Sequence, residues 1–166
     1  MQQKTINLYE YSELSPEAKK KALDYHQQHG FDDYGLQVCL DNEIETLLEE
    51  AGITPVAPTQ HPKLYYSLAN CQGDGVMFEG NFEWNNIPVT IKQYGRYYHA
   101  YSKEVDMPEA SEKERDSFED VYVTICKKLE KLGYQYIEDV ESESYFIEEC
   151  NANEYLFLED GTRDNR

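Results

Sequence analysis

Val76-Met77-Phe78-Glu79-Gly80-Asn81-Phe82-Glu83-Trp84, then Asn85-Asn86, then Pro88-Val89-Thr90-Ile91-Lys92-Gln93, is the stretch that decides the fold. Two β-prone runs joined by two asparagines predict an antiparallel hairpin. Met77, Glu79, Asn81 and Glu83 alternate with Phe78, Phe82 and Trp84, the pattern of a sheet with one wet face. Upstream, Leu64 to Asn70 reads as a further strand, turned back by Gly73-Asp74-Gly75. Downstream, Tyr94-Gly95 turns the chain into a run from Arg96 to Ser102. The middle of the chain is therefore expected to be a β-meander.

Helical patterns flank it. Ser15-Pro16-Glu17-Ala18 has the form of an N-cap followed by proline at the first helical position, and Gly30 stops that helix near His29. Leu36, Leu40, Ile44, Leu47, Leu48 and Ala51 follow amphipathic spacing, closed by Gly52. A third helix opens at Ser111 and carries Phe118, Val121, Tyr122, Ile125, Leu129 and Leu132 as its apolar stripe, with Gly133 as its expected stop. Residues 134–150 read as another, more broken helix. Ile6–Tyr11 and Glu154–Glu159 read as strands, Asp160-Gly161 as a turn into a flexible polar tail from about residue 162, and residues 53–62 as a proline-rich extended connector. The class expected is α+β, an antiparallel meander of about four to six strands with three to four helices on it, in one domain spanning 1–166.

The charge is large and uneven. The chain carries 15 Lys and Arg against 33 Asp and Glu, a net charge of -18. Residues 1–52 hold 4 basic and 11 acidic groups, residues 53–103 hold 4 and 3, and residues 104–166 hold 7 and 19. Such a balance argues against direct nucleic-acid binding, which needs cations to displace counterions from phosphate, and against an anionic membrane surface. It implies a basic partner. Asp41, Glu45 and Glu49 recur every four residues opposite the apolar stripe of the second helix, and Glu112, Asp116 and Asp120 do the same on the third. At 1.5 Å of rise per residue each series spaces carboxylates about 6 Å apart, comparable to phosphates along a nucleic-acid strand. Glu138, Asp139, Glu141 and Glu143 form a further acidic segment. A solvated helix face has the same appearance. Met1-Gln2-Gln3-Lys4 precedes no apolar run, and no stretch approaches the roughly 20 apolar residues of a membrane span, so a cytoplasmic protein is expected.

Catalytic chemistry is thinly represented. The four cysteines, Cys39, Cys71, Cys126 and Cys150, have no CxxC spacing, and Cys39 and Cys126 read as ordinary buried thiols. Gly73-Asp74-Gly75 is either an anion nest or a tight turn whose aspartate bonds its own backbone, with the turn favoured. Arg96 and His99, among Tyr94, Tyr97, Tyr98 and Tyr101, offer an anion clamp and an acid/base group, although a lone strand histidine is more often structural. His26 and His29 lie one turn apart but lack the glutamate of a zinc-protease motif. No catalytic residues, metal or cofactor are assigned.

Several segments in combination resemble those of small acidic proteins common in bacteriophage genomes. Tyr9-Glu10-Tyr11-Ser12-Glu13-Leu14-Ser15-Pro16-Glu17-Ala18-Lys19 is similar to their opening Y-x-F/Y-x-E-L-S-x-E-A-K. Gln72-Gly73-Asp74-Gly75 with Phe78-Glu79-Gly80 resembles their S-Q-G-D-G-x-x-F segment, and Gly95-Arg96-Tyr97-Tyr98-His99 their H-S-G-H-Y-Y-H segment. Ala152-Asn153-Glu154-Tyr155-Leu156-Phe157-Leu158-Glu159-Asp160-Gly161 resembles their ending A-N-E-Y-x-F-x-E-D-G. Cys71 stands where that group has Ser, and Tyr94 and Arg96 where it has Ser and His. The resemblance implies a phage or prophage origin and a bacterial cytoplasm. It implies no reaction, since the group is largely uncharacterised and some members carry antitoxin-like labels.

The leading expectation is a non-enzymatic inhibitor of a basic, nucleic-acid-handling host defence factor, of anti-CRISPR or other anti-defence type, acting through nucleic-acid mimicry. Small acidic phage proteins often act so, which is an argument by analogy. The contact residues expected are Asp41, Glu45, Glu49, Glu112, Asp116, Asp120, Glu138, Asp139, Glu141 and Glu143. The alternatives are an antitoxin or regulatory partner of a toxin, and a small-ligand-binding or hydrolytic domain built on Asp74, Arg96 and His99.

Overall fold

The computed structural model describes residues 5–166, so the opening Met1-Gln2-Gln3-Lys4 lies outside the described residues. The elements run α1 (Pro16–His29), α2 (Asp33–Glu50), β1 (Ile53–Pro55), β2 (Lys63–Ser67), β3 (Gly75–Trp84), β4 (Ile87–Gln93), β5 (Lys103–Asp106), α3 (Glu112–Glu141) and α4 (Glu143–Ala152). The class is α+β, with four helices and a five-stranded antiparallel sheet among the described residues. They form two compact units. One comprises Tyr34–Gln135; the other joins the chain up to Asp33 with Tyr136–Arg166.

In the Tyr34–Gln135 unit every strand but β5 pairs with β3, and β5 pairs with β4. The expected hairpin forms with Trp84 opposite Ile87 and Gly80 opposite Ile91. Asn85 and Asn86 both take positive φ, the backbone of the tight turn such hairpins require. The proline-rich connector contains a strand that its prolines disguise. Ile53, Thr54 and Pro55 pair with Trp84, Glu83 and Phe82 before the chain loops out and returns as β2, with Lys63 opposite Glu79. Proline is tolerated at Pro55 because it ends the strand.

The one-wet-face pattern fails at the start of β3, where Val76, Met77 and Phe78 are all fully buried. Residues 97–99 press against the backbone there, and a Cβ at Gly75 would stand 2.6 Å from that of His99. The expected strand Arg96–Ser102 is instead a loop. Tyr94 donates its N–H to the Ser102 carbonyl, and β5 begins only at Lys103, opposite Gln93. The loop's four tyrosines favour a strand, but Gly95 at φ +81° and the hydrogen bond from the Ser102 N–H to the His99 carbonyl turn the chain instead.

α2 and α3 pack antiparallel on the sheet. Leu36 and Leu40 adjoin Gly133, while Leu47 adjoins Val121 and Ile125. Gly133 does not stop α3. A Cβ there would overlap Leu68, so the glycine makes room for a neighbour inside a helix that continues. The break comes at Ser142, whose hydroxyl accepts from the Tyr145 N–H and caps α4. Tyr122 anchors α3 to the sheet. Its hydroxyl accepts from the Phe78 N–H (3.1 Å) and donates to the Phe78 carbonyl (2.8 Å), with the two rings 4.6 Å apart. Burial holds this phenol protonated far above the usual tyrosine range. Lys103, with only 5% of its side chain exposed, lies 4.8 Å over the Tyr122 ring and binds Glu119 at 2.7 Å.

The second unit packs α1 and α4 around Tyr11, Leu14, Ala18, Ala22, Phe146, Cys150 and Phe157. Ser15 caps α1 through the Ala18 N–H as expected, and Gly30 donates to His26 at its end. Neither expected terminal strand forms. Tyr9 and Phe157 make a single antiparallel bridge, Phe157 bridges Arg163, and Tyr11–Glu13 is a 3-10 turn. Thr162 and Asp164 are held to Leu158 and Leu156 by backbone hydrogen bonds. Gly161, at φ +87°, lets the backbone touch Ala18, whose carbonyl a Cβ would overlap.

Tyr122→Phe leaves the buried Phe78 N–H and carbonyl without this partner, at an expected cost of about 1–3 kcal/mol. Urea denaturation of the two proteins measures the difference, and the slope with denaturant should be unchanged.

Candidate functional site

The Asp74 turn is a closed structural unit. The Asp74 carboxylate accepts from the Tyr134 hydroxyl (2.6 Å), the N–H groups of Ala69 (2.7 Å) and Cys71 (3.1 Å), and the Ser67 hydroxyl (3.0 Å). The tyrosine bond first, then those from Cys71 and Ala69, hold it well below the usual carboxylate range. Burial and the same bond push Tyr134 up to about 12. With its oxygens so engaged, Asp74 ties β2, β3 and α3 together. This is the self-bonding turn favoured from the sequence, extended by a phenol from 60 residues away.

Arg96 and His99 are engaged elsewhere. The Arg96 guanidinium lies over the Tyr97 ring and donates to its hydroxyl (3.1 Å). His99 Nδ1 accepts from the Tyr101 N–H and meets the Ser102 hydroxyl, both at 3.2 Å. Residues 73–75 and 97–99 touch through Gly73 on Tyr97 and Gly75 on His99. Among the described residues no hydrogen bond or ion pair joins any two of Asp74, Arg96 and His99. None of the three lines the four cavities described for this chain. What this loop presents outward is phenol. Tyr94, Tyr97, Tyr98 and Tyr101 are all exposed, Tyr94 and Tyr101 by more than 60%.

No thiol is activated. Burial pushes Cys126 up to about 12 and Cys150 up to about 11, and also raises Cys39, which is only half-buried. The exposed Cys71 is raised by its hydrogen bond to Asp74. Low-pKa thiolates, the reactive kind, sit in the opposite environment. The two histidines of α1 diverge: His26 is buried, and His29 is exposed, stacked on Tyr25 at 4.3 Å. Among the described residues no group of three or more His, Cys, Asp or Glu is placed to hold a metal ion.

The expected acidic contact positions are exposed except Glu141, which is half-buried. Asp41, Glu45 and Glu49 project from α2, and Glu112, Asp116 and Asp120 from α3, all six open to solvent and all within the Tyr34–Gln135 unit. Asp41 accepts from Gln37 one turn earlier, and Glu45 meets His61 at 2.9 Å. None of the six is within ion-pair distance of a described Lys or Arg. Glu138, Asp139, Glu141 and Glu143 belong to the other unit, where Glu143 accepts from the buried Tyr11 hydroxyl at 3.0 Å, so that carboxylate is also a packing group.

Sequence reasoning missed an aromatic-walled cavity. It measures about 250 Å³ and lies within the smaller unit, between α1, α4 and residues 155–163. Tyr25, Phe146, Tyr155 and Phe157 supply aromatic walls. His26 forms part of it, stacked on Phe146 at 4.5 Å. Its Nε2 donates to the Val140 carbonyl at 2.9 Å, so its Nδ1 faces Glu149 at 3.4 Å. Only the paired histidines hinted at this place, and their spacing suggested metal rather than a cavity wall.

No protein-family model, curated protein or solved structure matches this chain. Among the described residues no helix is long and apolar enough to cross a membrane.

Because the folded state holds Asp74 ionised below its unfolded range, its contribution is present above about pH 4 and lost as the pH falls through the depressed folded value. Asp74→Asn should therefore destabilise the protein most near neutrality. The gap from the parent should narrow as the medium is acidified towards about pH 2, as denaturant midpoints across pH would record.

Proposed function

We propose that this chain is a binding protein, not an enzyme, whose acidic helical faces engage the basic surface of a nucleic-acid-handling protein and inhibit it by occupying the place of phosphate. The observation that carries this reading is the uncompensated charge of α2; the carboxylates of α3 add to it, although that helix opens with Lys113 and Arg115 among them. α2 contains six carboxylates and no Lys or Arg in 18 residues, and its last turn ends Glu49-Glu50. Acidic groups at a helix C-terminus oppose the dipole, where a cation would be worth about 0.3–1 kcal/mol, and like charges four apart cost about 0.2–0.5 kcal/mol. A solvated face needs polarity but not one sign. Retaining this sign at a standing cost in stability fits selection for a cationic partner.

The exposed tyrosines of residues 94–101 support the same reading. Charged rims steer and select partners, whereas tyrosine is among the residue types enriched at the few positions that carry most of the contact energy. The bacteriophage and anti-defence setting rests on the sequence resemblance alone.

The test is capture of partners from a bacterial lysate on the immobilised protein, at about 50 mM and about 300 mM salt, followed by mass spectrometry. Basic nucleic-acid-binding proteins should be retained at low salt and released at high salt. A variant combining Asp41→Lys, Glu45→Lys and Glu49→Lys should lose the partner while keeping its fold, since a cation at residue 49 suits the helix end. Equal retention by the parent and by the corresponding variants of both helices would overturn the reading.

A further inference from the structure

We propose that the cavity between α1, α4 and residues 155–163 binds a small planar aromatic molecule carrying an anionic group, a carboxylate or a phosphate. The inference is independent of the acidic faces, because every lining residue belongs to the smaller unit. A volume of about 250 Å³ exceeds the roughly 150 Å³ that accommodates benzene in an apolar protein cavity, so one substituted ring fits. Phe146 and Phe157 set the walls edge to face, 6.3 Å apart, with Tyr25 and Tyr155 bordering the same space. Phe146 and Phe157 offer water no hydrogen-bond partner, so the part of the cavity they wall suits a ring rather than ordered solvent.

The polar groups of the site choose the ligand's charge. Lys21 is committed to Asp160 at 2.5 Å and to Thr162 at 3.0 Å. His29 Nδ1 donates to the Tyr25 carbonyl at 3.1 Å. The carboxylate of Glu149 is turned to His26. Arg163 remains. Its guanidinium lies 4.4 Å over the Tyr155 ring and its Nε donates to Asn165 at 3.0 Å. Its terminal nitrogens have no carboxylate partner among the described residues. Stacking on the tyrosine holds the fork flat and pre-oriented, which suits two-point recognition of a carboxylate or phosphate at the edge of an aromatic slot. With Lys21 offset by Asp160 and Glu149 turned to His26, Arg163 is the cation left to meet the ligand's charged group.

The experiment titrates the full chain with benzoate, phenyl phosphate, phenol and inorganic phosphate, following aromatic NMR signals and heats of binding. Benzoate or phenyl phosphate should saturate signals of Phe146 and Tyr155, and whichever binds more tightly identifies carboxylate or phosphate as the favoured group. Phenol should bind about tenfold or more weakly, the loss expected without a charge-assisted hydrogen bond, and inorganic phosphate alone should leave the Phe146 signals unmoved. Arg163→Gln, a change at an exposed side chain, should cost the anionic probe the same factor while leaving phenol unaltered. Equal affinity for phenol and benzoate, an Arg163→Gln protein that binds benzoate as the parent does, or no saturable shift with either anionic probe would each overturn the assignment.

Discussion

A single phenol completing the backbone hydrogen bonds of a single residue is the contact on which the larger unit depends. β3 is the strand that β1, β2 and β4 all use, and β4 leaves its ladder after Gly80. Beyond that point side chains take over from strands. Glu79 accepts the Gln93 N–H at 3.0 Å, and Tyr122 satisfies both the N–H and the carbonyl of Phe78. A buried peptide group left unpaired is costly, so the position of α3 along the sheet is set by where that hydroxyl must reach. Phe118, against Trp84 at 5.4 Å, and Lys103, between Glu119 and the Tyr122 ring, then follow from the same placement.

Elements with strong local signals were legible in the sequence. Ser15, Pro16 and the leucine spacing of α2 each specify a helix from neighbours alone, and Asn85-Asn86 specifies its hairpin. What escaped depended on distant partners. Gly133 looks like a stop until Leu68 is seen to need its space, and Pro55 looks like a linker until β3 lies beside it. The run from Tyr94 to Ser102 alternates well enough for a strand, yet the chain turns through it because β4 resumes pairing only at Lys103.

The candidate sites divide in the same way. Exposure of Asp41, Glu45, Glu49, Glu112, Asp116 and Asp120 followed from helical periodicity, since a carboxylate opposite an apolar stripe must face water. The commitment of Asp74 to Tyr134 did not, because 60 residues separate them. The aromatic cavity gathers Tyr25, Phe146, Tyr155 and Phe157 from three segments, each of which reads in isolation as ordinary core.

The bridge between Tyr9 and Phe157, with the Lys21–Asp160 clasp, joins segments separated by well over a hundred residues. Between them lies the other unit, whose own contacts are complete by Gln135. On a ribosome the middle of this protein can therefore close first, while α1 waits for its partners to be synthesised. Domains generally fold as their own residues emerge, so α1 would spend this interval with Ala18 and Ala22 uncovered. Its three successive lysines and its polar outer face suit a helix that must stay soluble before it has anything to pack against.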